Sequence, residues 1–142
     1  MTKVDCSKVF VDTSTFSTSD NIFNGAFAKV NIKKGELVEK GLMNRLSDNN
    51  NRLFDGTKNQ FVFTWSDDIP NYTWASGSGC STFYNSVLKP HTNTRMVRFF
   101  DEDRFEIYAT KDIKAGDELT HTYKSLKWRD AFVPLYKKLT KK

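Results

Sequence analysis

The stretch ATKDIKAGDELTHTY, residues 109–123, decides how this chain is read. It opens on Ala109, the last residue of an alternating strand. Phe105, Ile107 and Ala109 point one way along that strand, and Arg104, Glu106 and Tyr108 the other. Residues 111–116 make a turn closed by Gly116, and the chain returns as a strand through Leu119 to Tyr123. Nearly the same phrase occurs earlier as AKVNIKKGELVE, residues 28–39. Each copy has Ala, an Ile four residues later, a Gly three beyond that, and then an acidic–apolar strand. The physical reading is one strand–turn–strand device used twice, with Gly supplying positive φ at the bend. The likeness does not extend to a full repeat.

Outward from these phrases the pattern stays extended. Residues 5–12 read as a short strand around Val9 and Val11, and 13–21 as a Ser/Thr-rich loop. Residues 43–60 are Asn-rich and read as a loop or insertion. Phe61 to Trp65 is aromatic and β-branched, a good strand. Residues 66–79 carry Pro70, Gly77 and Gly79 and read as a loop. Residues 94–100 and 104–109 form a hairpin around Asp101, Glu102 and Asp103. Trp128, Phe132, Leu135 and Leu139 recur at helical spacing, so 126–139 is the helix candidate, interrupted at Pro134. The basic end, 131–142, reads as a solvated tail.

Composition narrows the class. The chain has 142 residues, 38% hydrophobic and 27% charged, which suits one globular domain over 1–142. Two cysteines, Cys6 and Cys80, cannot build a four-cysteine zinc cluster or a disulfide framework. They read as reduced thiols of an intracellular protein. With only two histidines, His91 and His121, a histidine-based metal site would need carboxylate help, so no metal is expected. Both are read as surface or strand residues without catalytic duty. No run reaches the roughly 18 apolar residues of a membrane span, and residues 1–10 lack a secretory pattern. The net charge of +5 permits an acidic or nucleic-acid partner without naming one.

Three segments in order carry a resemblance. They are Asn24-Gly25-Ala26-Phe27-Ala28 with the turn at Gly35; Tyr84-Asn85-Ser86 followed by Pro90 and Asn93; and 109–123, ending at Tyr123. Together they resemble the SET-domain protein-lysine methyltransferases, over about residues 9–130, and look most like the minimal virus-type or bacterial-type members. Phe23 replaces the first glycine of the family's opening motif, Ser86 replaces a histidine, and Val87-Leu88-Lys89 lengthens the central motif. The resemblance implies a mainly β fold. Several small curved sheets would surround a pseudoknot-like core in which the C-terminal segment passes under a loop, with a short C-terminal helix.

It also implies methyl transfer from S-adenosylmethionine to a lysine amine, leaving S-adenosylhomocysteine. Tyr123 would be catalytic, orienting methyl and amine where they meet. Asn24, Gly25, Phe27, Asn85, Ser86, Tyr123 and Trp128 would contact the cofactor. Tyr72 and Tyr84 would line the lysine channel. The reaction is an in-line displacement, so its two reactants must be held close and aligned. The amine must be neutral although free lysine titrates near about 10.4, and an apolar channel beside a cation lowers that value. The expected partner is a protein bearing the target lysine, itself basic, with no membrane and no required nucleic acid. The rival class is a basic β-rich module that binds single-stranded nucleic acid or peptide without turnover. Stacking modules align aromatics with Lys and Arg on one strand face. Here Phe61 and Phe63 have neutral flanks and Arg95, Arg98 and Arg104 are scattered, which favours the enzyme. Substrate identity, methylation number and oligomeric state are not encoded in these motifs.

Overall fold

The computed structural model describes residues 2–47, 62–66, 73–123 and 132–141. One four-stranded sheet orders β1 (Val9–Thr13), β2 (Asn24–Ala28), β9 (Glu118–His121) and β6 (Asn85–Ser86). A second, five-stranded sheet orders β4 (Phe63–Thr64), β5 (Trp74–Gly77), β3 (Leu37–Arg45), β8 (Arg104–Ala109) and β7 (Thr94–Phe99). Neighbours are antiparallel except β6 and β9, which run parallel with Asn85 opposite Thr120 and Ser86 opposite His121. The expected mainly β, curled-sheet fold is the observed one. The segment that would pass under a loop includes 124–131, outside the described residues.

The two echoed phrases pair with each other. Ile32 and Ile113 exchange both backbone hydrogen bonds, at 2.8 and 2.7 Å. Gly35 N–H donates to Ala109 O and Gly116 N–H to Ala28 O, each at 2.8 Å. Asn31 Oδ1 accepts from Ala115 N–H and Asp112 Oδ1 from Lys34 N–H, both at 2.9 Å. Each bond of one copy thus has its counterpart in the other, a local two-fold clasp. Both glycines are left-handed, with φ of 88° and 92°, as their turns require. Ile32 and Ile113 are buried beneath the clasp. This joins β3 of one sheet to β9 of the other and fixes where β9 leaves the core.

The hairpin of β7 and β8 forms as its alternation predicts, with Phe105, Ile107 and Ala109 buried. A register shift between Leu37 and Glu39 turns both Val38 and Glu39 inward. Two readings change. The predicted loop at 66–79 contains β5, because Trp74 and Ala75 bury their side chains between β4 and β3. Met43, Asn44 and Arg45, assigned to the insertion, continue β3 and pair with that strand. The helix, α1 (Val133–Thr140), carries Pro134 in its first turn, where a missing N–H costs nothing. The proline stands at the start of this helix; residues 126–131 of the expected helix lie outside the described residues.

Candidate active site

The parallel β6–β9 pair sets the site. It places the central motif beside the end of the closing motif, two stretches far apart in sequence. Ser86 Oγ accepts the Tyr123 N–H at 3.0 Å, and Thr122 Oγ1 donates to Val87 O at 2.7 Å. The Tyr123 hydroxyl donates to the Tyr84 carbonyl at 2.7 Å. Its proton is thereby committed to that carbonyl. The Tyr123 ring is held edge-on by His121, centroids 5.0 Å apart, and covered by Phe132 at 4.7 Å. Asn93 pins the strand from the other side, accepting Thr120 N–H and donating to Glu118 O, both at 2.8 Å.

Glu118 organises the second wall. Its carboxylate accepts from Thr15 N–H at 2.7 Å, Thr15 Oγ1 at 2.6 Å, Ser14 Oγ at 2.8 Å and Asn85 Nδ2 at 3.0 Å. Asn85 Nδ2 also reaches Asn24 O at 3.1 Å and Ser14 Oγ at 3.2 Å. Asn85 Oδ1 accepts nothing from any described residue, so it is the acceptor that Asn85 can offer a ligand. Gly25 lies under this cluster. A Cβ there would collide with Glu118 Oε2 and come within 3.0 Å of Asn85 Nδ2. The glycine is required by the Glu118–Asn85 pair, which is a different reason from close approach to a ligand. Glu118, Ser14 and Thr15 were not singled out in the sequence. The only sign was an acidic residue repeated after each glycine turn.

These walls border a cavity of about 540 Å³. That lies within the roughly 300–1,000 Å³ usual for small-molecule sites. Asn24, Asn85, Ser86 and Tyr123 line it, joined by Phe16, Phe23 and, from the C-terminal segment, Phe132, Leu135, Lys138 and Leu139. Phe23, which stands where the family motif has a glycine, is therefore a wall of the cavity. Phe27 is not in this lining. It is buried and stacked on Phe10, with centroids 5.4 Å apart. Tyr84 is not in it either. Its ring is 1% exposed and its hydroxyl donates to Glu39 Oε1 at 2.8 Å, so it gives the site its carbonyl only. Tyr72 and Trp128 lie outside the described residues. Among the described residues no group of three or more His, Cys, Asp or Glu could hold a metal ion.

Beneath the site lies a buried polar layer. Glu39 Oε2 accepts the Cys80 N–H at 2.8 Å, and burial pushes the Glu39 carboxyl up. Burial, with Glu39 beside it, holds the Tyr84 hydroxyl well above its ordinary value. Burial chiefly, then Glu39 and Cys6, pushes the Cys80 thiol up to about 12. His121 is the strand residue it was read as, at the end of β9, but it is buried. It is 5% exposed, its Nε2 is buried without a hydrogen-bond partner among the described residues, and burial, then Arg98, pushes it down to about 3. Arg98 Nε is likewise buried and without such a partner. β9 buries Leu119, Thr120 and His121 alike, so a polar residue in this strand gave no sign of its burial.

The cavity thus lies between the clasped β-core and α1, with Tyr123 on its wall. The chain matches the SET domain family over residues 24–124, and it belongs to that family. It is 28% identical over 106 residues to the histone-lysine N-methyltransferase, H3 lysine-4 specific, of Schizosaccharomyces pombe. The match covers 70% of this chain and 11% of that protein, so the chain spans about a tenth of its curated relative. Among solved structures, polycomb repressive complex 2 of Chaetomium thermophilum bound to S-adenosylmethionine aligns with a TM-score of 0.62 at 22% identity. That alignment covers 85% of this chain and 16% of the other. A Plasmodium falciparum protein described as a candidate histone methyltransferase aligns with a TM-score of 0.56 at 18% identity, covering 82% and 92%. At these identities the two structures speak for the fold.

Proposed function

We propose that this chain is a protein-lysine N-methyltransferase that uses S-adenosylmethionine, with Tyr123 at the point of transfer. The observation that carries this is the Tyr123 hydroxyl, locked at 2.7 Å on the Tyr84 carbonyl beside a ligand-sized cavity. The donor set fits such a cofactor. Asn85 Oδ1 offers an acceptor, Asn24 and Ser86 line the cavity, and Phe16 and Phe23 supply apolar surface for a heterocycle.

When bound, the cofactor supplies an activated methyl on a sulfonium. Transfer to a lysine nitrogen would break the methyl–sulfur bond as the methyl–nitrogen bond formed, with one proton released from the nitrogen. Tyr123 Oη, anchored on Tyr84 O at the cavity wall, would align methyl and amine through C–H···O and N–H···O contacts. The apolar side chains of the lining, Phe16, Phe23, Phe132, Leu135 and Leu139, disfavour an ammonium relative to a neutral amine.

The Schizosaccharomyces relative makes histone H3 the first substrate to try. The test is incubation of the protein with labelled S-adenosylmethionine and histones or a cell lysate, beside Tyr123→Phe. Label on protein should appear and fall by about a hundredfold in the variant, the scale of losing one transition-state contact. Equal labelling by both would refute the role of Tyr123. No cofactor binding by calorimetry and no labelled protein would refute the enzyme reading.

A further inference from the structure

The family match ends at residue 124, yet part of the cavity wall comes from 132–139. Phe132, Leu135 and Leu139 recur at helical spacing and turn one face of α1 to the cavity. Lys138 is on that face, one turn beyond Leu135, whereas Lys137 is exposed and is not in the lining. Lys138 is also the one charged side chain among the described residues that line the cavity. It makes no ion pair with any described residue. The lining holds no described carboxylate. Among the described residues a ligand's anion therefore finds a single cationic partner, while its ammonium finds Asn85 Oδ1.

We propose that α1 is a binding element of the site, and that Lys138 receives the α-carboxylate of the cofactor's methionyl end. This rests on the reading of the cavity as an S-adenosylmethionine site. The cofactor carries one anionic group, the carboxylate, beside an ammonium and a sulfonium. An amino-acid zwitterion lying between Asn85 and Lys138 satisfies both ends, with acceptor facing ammonium and cation facing carboxylate. The basic tail read as solvated is then divided. Lys138 serves the ligand, and Lys137 serves the helix C-terminus, where a cation is favoured.

Calorimetric titration with two probes, S-adenosylmethionine and its decarboxylated analogue, tests this on wild type, Lys138→Gln and Lys137→Gln. Lys138 is exposed, so the pair is solvated and the expected loss is modest. Lys138→Gln should weaken S-adenosylmethionine about three- to fivefold, and Lys137→Gln should not. Removing the carboxylate should weaken wild type by the same factor and Lys138→Gln no further, because both changes remove one interaction. Wild-type affinity should also fall more steeply with salt than that of Lys138→Gln. Unchanged affinity in Lys138→Gln, or losses that multiply when both changes are made, overturns the assignment while leaving the enzyme reading intact. Absence of any wild-type binding overturns the underlying reading, and this assignment with it.

Discussion

Replacing His121 with Phe should make the protein more resistant to acid. His121 is 5% exposed and hemmed in by Arg98, Tyr84 and Tyr123, and it is pushed down to about 3 from its ordinary 6.5. The unfolded chain takes up a proton below about pH 6.5 and the folded chain does not. Stability then falls with pH at up to about 1.4 kcal/mol per unit, through the window from about 6.5 to about 3. Between pH 7 and pH 5 this one residue costs about 2 kcal/mol. Phenylalanine keeps an apolar ring against Tyr123, cannot titrate, and removes the unpartnered Nε2. The assay is urea unfolding of wild type and variant at pH 7 and pH 5. Other groups titrate in both proteins, so only the difference between them is read. The variant's advantage should be about 2 kcal/mol larger at pH 5 than at pH 7. An advantage that does not change with pH would show that the folded protein accommodates a charged His121, and would refute the argument from burial.

Three other outcomes follow from particular contacts. Gly25→Ala should cost about 1–3 kcal/mol and weaken cofactor binding, because the new methyl displaces Glu118 from Asn85. Glu118→Ala added to it should restore part of the stability, as a double-mutant cycle in denaturant would show. Asp103→Ala should cost about 2–3 kcal/mol in urea unfolding. It strands the buried Trp65 indole N–H, which donates at 2.8 Å, and puts alanine at a left-handed φ of 48°. Asp103→Asn, which tolerates that φ and can still accept, should cost less than half as much. Cys80, held up to about 12, should resist iodoacetamide at pH 8 until denaturant is added, as mass spectrometry of the labelled peptide would report.

The ordered motifs were legible because each is local. Gly35 and Gly116 stand at positive φ, and the alternation of Phe105, Ile107 and Ala109 stands as a buried strand face; the strand read through Tyr123 ends at His121, with Tyr123 two residues beyond it. The echo between 28–39 and 109–123 was legible as likeness alone. That the copies clasp each other is a statement about pairing, which no local pattern encodes. Strand β5 was hidden for a related reason. Its four residues sit among glycines, and what makes them a strand is Trp74 and Ala75 buried between two neighbours.

By itself, the sequence determined the β-rich class and the turn glycines, and it singled out a tyrosine and an asparagine that the fold brings to one cavity. Backbone sterics and side-chain periodicity act over a few residues and leave their mark in order. Only the tertiary structure decided what surrounds those residues. It gave Gly25 to Glu118, turned Tyr84 inward to Glu39, buried His121 beside Arg98, and laid the Lys138 face of a terminal helix along the cavity. Burial and charge pairing depend on which distant segments meet, and a residue's own neighbours in sequence do not carry that information.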